Sequence, residues 1–249
     1  MAFPNTISGS YGWEKVQTSA QKHKLGTEMV FVDGRKFRYI EVGGTAITEG
    51  LLVASEAPAG NHDEDLAVAT TAAGSTTVAV TLGGTAAAKN LYGEGYLFIN
   101  IPILATSANP HEMYKIKSHP YNAGSAAVTL TLDEPDGLVT AITNGTETAG
   151  VIKSPYKDVV VAPAAVAGRF VGVTTRSMTA DYFGWIQVSG LATVAMDGTP
   201  AFGTLVGAIS NHAGQFLAIG ADTSPAIARV HGKAGVDNEY HTVFLMNLY

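Results

Sequence analysis

The sequence predicts an all-β protein, built of antiparallel β-sandwich or β-barrel subdomains with an extended N-terminal arm. Apolar and polar residues alternate with a period of two in several segments, including "TTVAVTLGG" from Thr76 and "AAVTLTLDEPDG" from Ala126. Turn dipeptides such as Asp33-Gly34 separate these segments. Gly, Thr and Val recur too often for the helical period of about 3.6 residues to persist over three turns.

Three stretches of different character organise the chain. Residues 1–25 are polar but carry several aromatic side chains, which predicts an extended arm rather than a core element. Residues 26–160 predict a β domain with loop insertions. The segment "SPYKDVVVAPAAVAG" from Ser154 indicates a crossing between subdomains, so residues 161–249 predict a second β subdomain.

The most patterned stretch is "VFVDGRKFRYIEVGGTAI", which begins at Val30. Its Asp-Gly dipeptide between apolar runs predicts a hairpin with a two-residue type I′ turn. That register sets Val30 opposite Phe37, so one face carries Val30, Val32 and Phe37 while the other carries Lys36 and Arg38. The two basic residues indicate a solvated face, and the alternative is a basic patch that meets an acidic partner surface.

Composition narrows the classes of function. The net charge is −6, whereas a general nucleic-acid binder needs a basic face. Charged residues make up 14% of the chain, against about 25% in ordinary soluble domains. Such a chain either covers much of its surface with partners or is a stable Ala/Thr/Gly-rich secreted or viral β protein.

Other classes are excluded by missing residues and segments. The absence of cysteine excludes disulfides and Cys-ligated zinc. The N-terminal residues show no signal-peptide pattern, and the apolar stretches are too short for a spanning helix. We therefore expect a protein that is made in a cytoplasm and does not enter a membrane.

No motif points to catalysis or to a metal. The seven histidines form neither HxH nor HExxH, and GxSxG and GxxxxGK[ST] are absent. The acidic run at Asp63–Asp65 lacks the EF-hand spacing and predicts a solvated loop. The sequence thus predicts a protein that is not an enzyme and uses no cofactor or metal. Acidic pairs brought together in space would leave a glycan-cleaving enzyme as an alternative, with the candidates Glu94, Glu112, Glu134 and Asp181.

Several longer segments resemble one family in their order along the chain. They are "GTEMVFVDGRKFRYIEVGGTAI", "EGYLFIN…MYKIKSHP…AAVTLTLDEP", "SPYKDVVVAPAAVAGRFVGV", "GWIQVSGLATVAMDGTPAFGTLV" and "PAIARVHGKAGVDNEYHTVFLMNL". As a set they resemble virion structural proteins of tailed bacteriophages, of the capsid decoration or cement type. Residues 54–74 and 101–112 depart from that pattern.

The resemblance implies a β-rich protein without catalytic residues. Proteins of this family bind the outside of icosahedral heads, often as homotrimers, and reinforce contacts between major capsid subunits. The expected partners are therefore the major capsid protein and further copies of the chain, at the capsid exterior after synthesis in the host cytoplasm. The alternative is a head-fibre or tail-associated protein that binds host surface glycans.

These expectations also suggest which residues contact neighbouring subunits. We expect the arm to reach neighbouring subunits through its aromatic side chains Phe3, Tyr11 and Trp13. Lys36 and Arg38 of the hairpin are expected to add charged contacts.

Overall fold

A computed structural model describes residues 6–100, 112–164, 169–208, 212–219, 225–233 and 236–248. The chain forms two compact units. Unit 1 combines Met1–Glu56 with Pro155–Tyr249, and unit 2 is Ala57–Ser154. Unit 2 is therefore an insertion within the sequence of unit 1.

Seventeen strands and one short 3-10 turn make up the described ranges, which contain no α-helix. In unit 1 the elements before the insertion are β1 (Thr6–Ser8), the 3-10 turn Trp13–Lys15, β2 (Glu28–Val30), β3 (Lys36–Glu41) and β4 (Leu52–Ala54). Unit 2 contains β5 (Leu66–Ala67), β6 (Thr77–Thr81), β7 (Tyr96–Asn100), β8 (Met113–Ser118), β9 (Ala127–Leu132) and β10 (Thr148–Ile152). Unit 1 resumes with β11 (Val160–Val161), β12 (Phe170–Thr174), β13 (Phe183–Ala195), β14 (Leu205–Gly207), β15 (Leu217–Ala218), β16 (Ala228–Val230) and β17 (Tyr240–Leu245).

These elements confirm the predicted all-β class. Every pairing between the named strands is antiparallel except β1 with β2. No helix in the described part of the chain has the length and apolarity to cross a bilayer.

Unit 2 is a nearly closed antiparallel barrel with the strand order β5-β10-β7-β8-β9-β6. The sheet curls until its ends meet, because Val68 after β5 bridges Val80 of β6. The main-chain N–H of Ala69 donates to the Ala79 carbonyl at 2.9 Å across this seam. Alternate residues of each strand point inward, as the period-two pattern predicts, and fill the barrel with Val78, Val80, Leu97, Ile99, Ile116, Val128, Leu130 and Val151 among others.

A histidine–tyrosine network is buried in unit 2. The Nδ1 atom of His62 is hydrogen-bonded to the Tyr92 hydroxyl. The main-chain N–H of Tyr92 donates to Nε2 of His119 at 3.0 Å, and Nδ1 of His119 lies 2.7 Å from the Pro120 carbonyl oxygen. His119 therefore carries its proton on Nδ1, because its Nε2 is an acceptor.

Two buried tyrosines should make unit 2 sensitive to alkali. Burial, together with the nearby negative charge of Asp63, raises the pKa of Tyr92 to about 12. Burial and the hydrogen bond to Glu112 raise the pKa of Tyr114 to about 12. Since the unfolded phenol titrates near about pH 10, the folded state is the one that resists ionisation. This contribution to stability is complete below pH 10 and is lost as the pH rises towards 12.

We expect an absorbance titration of the folded chain to show a late tyrosine component that disappears in Tyr92→Phe and Tyr114→Phe. The control is Tyr121→Phe, a change at an exposed tyrosine of unit 2, which should leave the late component of Tyr92 and Tyr114 in place. Ionisation of all tyrosines in one early step, while circular dichroism still shows the folded barrel, would contradict this assignment.

Unit 1 is organised around β13, its longest strand at 13 residues. Its sheet runs β1-β2-β3-β13-β17-β16-β14-β15, and β12 joins β13 to the branch formed by β4 and β11. The first half of β13 pairs with β3, and its second half pairs with β17. One strand thereby links the N-terminal hairpin to the C-terminal strands.

The division into units differs from the boundary expected near residue 160. Strand β4 precedes unit 2 in the sequence, yet it pairs with β11 and β12, which follow unit 2. Contacts therefore tie Pro155–Tyr249 to Met1–Glu56 rather than leaving 161–249 as a separate subdomain. The local pattern around Ser154 does mark a crossing, but the chain there returns to a unit already begun.

The described part of the predicted arm lies along unit 1. Residues Thr6–Ser8 form the edge strand β1, and Thr18 makes a bridge to Phe183. The hydroxyl of Thr175 donates to the Glu14 carbonyl at 3.0 Å. Residues 6–25 are thus held by their own unit at several points.

The hairpin forms where expected but in a different register. Met29 pairs with Phe37, and the main-chain N–H of Phe31 donates to the Arg35 carbonyl at 3.0 Å. The loop between Phe31 and Arg35 has three residues, and Gly34 takes a φ of 86°. A three-residue loop that ends in a left-handed glycine is the bulged alternative to the two-residue type I′ turn.

The one-residue difference exchanges the side chains of β2 between the two faces. The expectation that Val30 and Val32 share a face with Phe37 is wrong: Met29 and Phe31 lie on that face and are buried, and Val32 is 92% exposed at the turn. Met29 and Phe31 bury more apolar area than two valines would, which favours the observed register. The prediction that Lys36 and Arg38 share the opposite face of β3 from Phe37 is confirmed.

Candidate functional site

Unit 1 contains a cleft of about 790 Å³. Its walls come from the 3-10 turn with the residues just before it, the loop of the β2–β3 hairpin, the end of β12, and the middle of β13 and β17. The volume lies within the range of small-molecule sites. All of these elements belong to one compact unit, so the cleft belongs to a single folded body.

The hairpin loop supplies one wall through an ion pair. Nε of Arg35 lies 2.8 Å from Oδ2 of Asp33, and the Arg35 main-chain N–H donates to Oδ1 at 3.0 Å. Partial desolvation of Asp33 opposes ionisation, but these Arg35 hydrogen bonds, aided by one from Tyr11, outweigh it and lower the pKa of Asp33. The pair therefore presents a largely neutralised charge to the cleft.

Aromatic rings hold the Arg35 guanidinium in place. Its central carbon lies 5.6 Å from the ring centre of Tyr11, 5.1 Å from that of Phe31 and 5.7 Å from that of Phe37. Tyr11 also packs edge-on against Phe31, with the ring centres 5.4 Å apart. Cation–π contacts at these distances restrict the side chain, so Arg35 forms a fixed wall.

Gly190 lets the hairpin approach β13 closely. Its φ is 89°, and a Cβ atom at this position would lie 3.2 Å from Cα of Arg35. Any other residue would have both a strained backbone and a crowded side chain here. This glycine brings the Arg35 wall against the strand that forms the floor.

Two buried polar side chains form that floor. Glu14 is 5% exposed, and its Oε2 accepts the Gly12 N–H at 2.6 Å. Gln187 is 2% exposed, and its Nε2 donates to the carbonyls of Ser189 and Leu191. Within the described residues, Oε1 of Glu14 and Oε1 of Gln187 accept no hydrogen bond, so each offers the cleft an acceptor atom.

The opposite wall is the outward face of the sheet. Leu191 lies beside Phe244, and Thr193 lies beside Thr242, as cross-strand pairs of β13 and β17. All four side chains are exposed. The wall therefore offers a leucine side chain and an aromatic ring next to two hydroxyl groups.

The predicted contact residues of the arm and of the hairpin differ in where they lie relative to the cleft. Phe3 lies outside the described residues. Tyr11 and Trp13 are 63% and 50% exposed, and Tyr11 lines the cleft, whereas Trp13 does not. Lys36 and Arg38 are half-buried on β3 and lie outside the cleft.

Arg38 makes contacts within its own unit. Its Nη2 lies 3.2 Å from Oε2 of Glu28, and its Nη1 donates to the Gly26 carbonyl at 2.9 Å. This ion pair joins β2 to β3, which gives Arg38 a role in the hairpin itself.

Sequence reasoning did not select Glu14, Gln187 or Phe244 as site residues. Glu14 and Gln187 stand in segments with no motif, and their burial depends on partners more than 150 residues away along the chain. The alternation in "EYHTVFLMNLY" did carry a signal for Phe244, because it sets this ring on the same face as Tyr240 and Thr242.

The other candidates from the sequence are histidines and acidic residues. Within the described ranges, no cluster of His, Asp and Glu has the composition to hold a metal ion. Glu112 accepts hydrogen bonds from the hydroxyls of Tyr114 and Thr140, the latter at 2.7 Å. Both of its carboxylate oxygens thus have protein partners.

No protein family, no curated protein and no solved structure matches this chain.

Proposed function

We propose that the chain is a virion structural protein that binds the outer surface of a tailed-phage capsid and reinforces contacts between major capsid subunits. The observation that carries the proposal is an exposed apolar sheet surface on unit 1, formed by Leu191, Phe202, Leu205 and Phe244 and called here the open face. The resemblance of several sequence segments to capsid decoration proteins gives the partner its identity.

The open face extends across four strands, with Arg229 between Phe244 and Leu205 and with Phe202 in the turn before β14. Leu191 of β13 pairs with Phe244 of β17, Phe244 with Arg229 of β16, and Arg229 with Leu205 of β14. Nη1 of Arg229 donates to the Gly203 carbonyl at 2.7 Å, which holds its guanidinium against the main chain. Exposed apolar side chains gathered on one surface mark protein–protein contact sites.

The distribution of exposed apolar side chains supports contact through unit 1. Of the fourteen large hydrophobic side chains that are exposed in the described residues, eleven belong to unit 1. They include Trp13 of the arm as well as the open face. Low overall charge reduces the desolvation cost of covering such a surface permanently.

Binding to capsids tests the proposal. Purified chain is mixed with capsids that are assembled from the major capsid protein of the same virus and lack this chain, and bound protein is measured after sedimentation. We expect saturable binding that Phe202→Asp and Trp13→Ala weaken roughly thirtyfold each, which corresponds to the loss of about 2 kcal/mol that marks an interface hot spot. The matched control is Val139→Asp, a change at an equally exposed valine of unit 2.

Either of two results would reject the proposal. One is the absence of sedimentation with capsids at any protein concentration. The other is binding that Val139→Asp weakens as much as Phe202→Asp.

We also propose that the chain assembles as a homotrimer, and light scattering should then give three times the mass of one chain.

A further inference from the structure

The cleft of unit 1 has features that capsid binding does not require. Its floor contains two largely buried polar side chains, and one wall is held by the Asp33–Arg35 ion pair and by aromatic rings around Arg35. Convergent polar groups in a concave site of this volume are the usual mark of small-molecule recognition.

The floor of the cleft can accept hydrogen bonds that a ligand donates. Oε1 of Glu14 and Oε1 of Gln187 are acceptor atoms of side chains that are 95% or more buried, and neither has a donor within the described residues. The amide of Gln187 is oriented, because its Nε2 already donates to two carbonyls. Neither oxygen is taken up by a protein donor in the described part of the chain, so each can accept a hydrogen bond from a ligand hydroxyl in the cleft.

The walls of the cleft offer aromatic rings that can contact an apolar face of a ligand. Tyr11 and Phe244 present exposed rings, and the negative face of an aromatic ring attracts polarised C–H groups. Thr193 and Thr242 add hydroxyls, which act as donor or acceptor as required. Alternating hydroxyl groups and C–H faces are the chemistry of a sugar ring.

The charged side chains of the lining balance each other in number. Glu14 and Asp33 in the lining oppose an anion, while Lys15 and Arg35 oppose a cation. Asp33 and Arg35 also neutralise each other at 2.8 Å. The remaining preference is for a neutral molecule that is rich in hydroxyl groups.

We propose that this cleft binds a neutral saccharide, with its hydroxyls donating to Glu14 and Gln187 and its C–H faces against Tyr11 and Phe244. The site lies within one chain, so it can be tested without a capsid. A capsid protein with such a site would attach to neutral glycans on cells or in mucus.

A glycan array tests the proposal on the full-length chain alone. The array carries neutral hexose and N-acetylhexosamine oligosaccharides together with sialylated and sulfated ones, and positive glycans are titrated by ligand-observed NMR. We expect binding to neutral members and none to the anionic members.

Variants assign the binding to the cleft. Glu14→Gln keeps an oxygen for the Gly12 N–H but removes the charge, and Phe244→Ala changes an exposed side chain without touching the core. Each should weaken binding roughly tenfold, the loss expected for one charge-assisted hydrogen bond or one aromatic wall. Tyr121→Ala, an exposed tyrosine of unit 2, is the matched control and should bind like the parent.

Several outcomes would overturn the proposal. They are the absence of binding to every neutral glycan, a preference for anionic glycans, and binding that Glu14→Gln and Phe244→Ala leave unchanged. Tight binding of a lysine-rich peptide in the cleft would assign it to a protein partner instead. Since the array contains no capsid, failure here leaves the sedimentation result unaffected, and the converse also holds.

Discussion

Replacing Phe37 by alanine should destabilise unit 1 by about 3–5 kcal/mol, the cost of a large cavity in a packed core. Phe37 has no exposed surface and packs with Met29, Phe31, Tyr39 and Trp185. Its ring also lies under the Arg35 guanidinium, with 5.7 Å between the two groups. The substitution therefore removes core packing and one support of the cleft wall together.

Urea unfolding followed by tryptophan fluorescence measures this effect in unit 1 alone, because both tryptophans, Trp13 and Trp185, belong to that unit. The control is Val32→Ala at the tip of the same hairpin, which should change the free energy of unfolding by no more than about 0.5 kcal/mol. Similar losses for Phe37→Ala and Val32→Ala would show that the register described here is wrong.

Replacing Gly150 by valine should disrupt unit 2 by at least about 3 kcal/mol, the upper end of the usual cost of overpacking. Gly150 lies in β10, and a Cβ atom there would overlap the ring of Phe98 and the main-chain oxygen of Asp63. A backbone carbonyl cannot turn aside as a side chain can. Strand β10 pairs with both β5 and β7, so its displacement would open the barrel.

Amide hydrogen exchange detects this change strand by strand. Strands β5, β7 and β10 should lose protection, while the tryptophan fluorescence of unit 1 should stay as in the parent. The matched control is Gly84→Val in the same unit, where the nearest atom to a Cβ is Oγ of Ser125 at 3.9 Å. Full protection of β10 in Gly150→Val would contradict the packing described for the barrel.

The two proposals meet at the surface residues Leu191 and Phe244, which line the cleft and also belong to the open face. For this reason the capsid experiment uses Phe202 and Trp13, which lie outside the cleft. A chain seated on a capsid through the whole open face would have its cleft at the margin of the contact. Capsid binding and saccharide binding should therefore compete partly, and this competition is measurable with the same glycans.

Local rules predicted the fold class and many strands, because alternation over five or six residues reports one buried face directly. Strand β9, "AVTLTL", buries Val128, Leu130 and Leu132 as its pattern indicates. The Asp33-Gly34 dipeptide correctly marked a hairpin. It did not decide between two-residue and three-residue loops, since glycine in a left-handed conformation suits both.

The insertion of unit 2 and the cleft could not be predicted from the sequence, because both depend on pairing between strands that are far apart along the chain. Nothing in "LLVAS" around Leu52 indicates that β4 pairs with strands more than a hundred residues later. The same holds for the cleft, whose floor joins Glu14 to Gln187. Such contacts depend on the free energy of the whole sheet rather than on local preference, so neither the insertion nor the site left a local pattern.

The insertion also determines how the chain would respond to mechanical load. Ala54, before unit 2, pairs with Val160, after it, so the hydrogen-bonded strands β4 and β11 clamp the two stems of the insertion side by side. The two strands are antiparallel, and the segments that lead to the two chain termini leave from the same end of the pair. Tension applied to the termini must therefore unzip this clamp before it reaches Ala57–Ser154. Unit 1 bears the force first, and the barrel is shielded from stretching until the clamp opens.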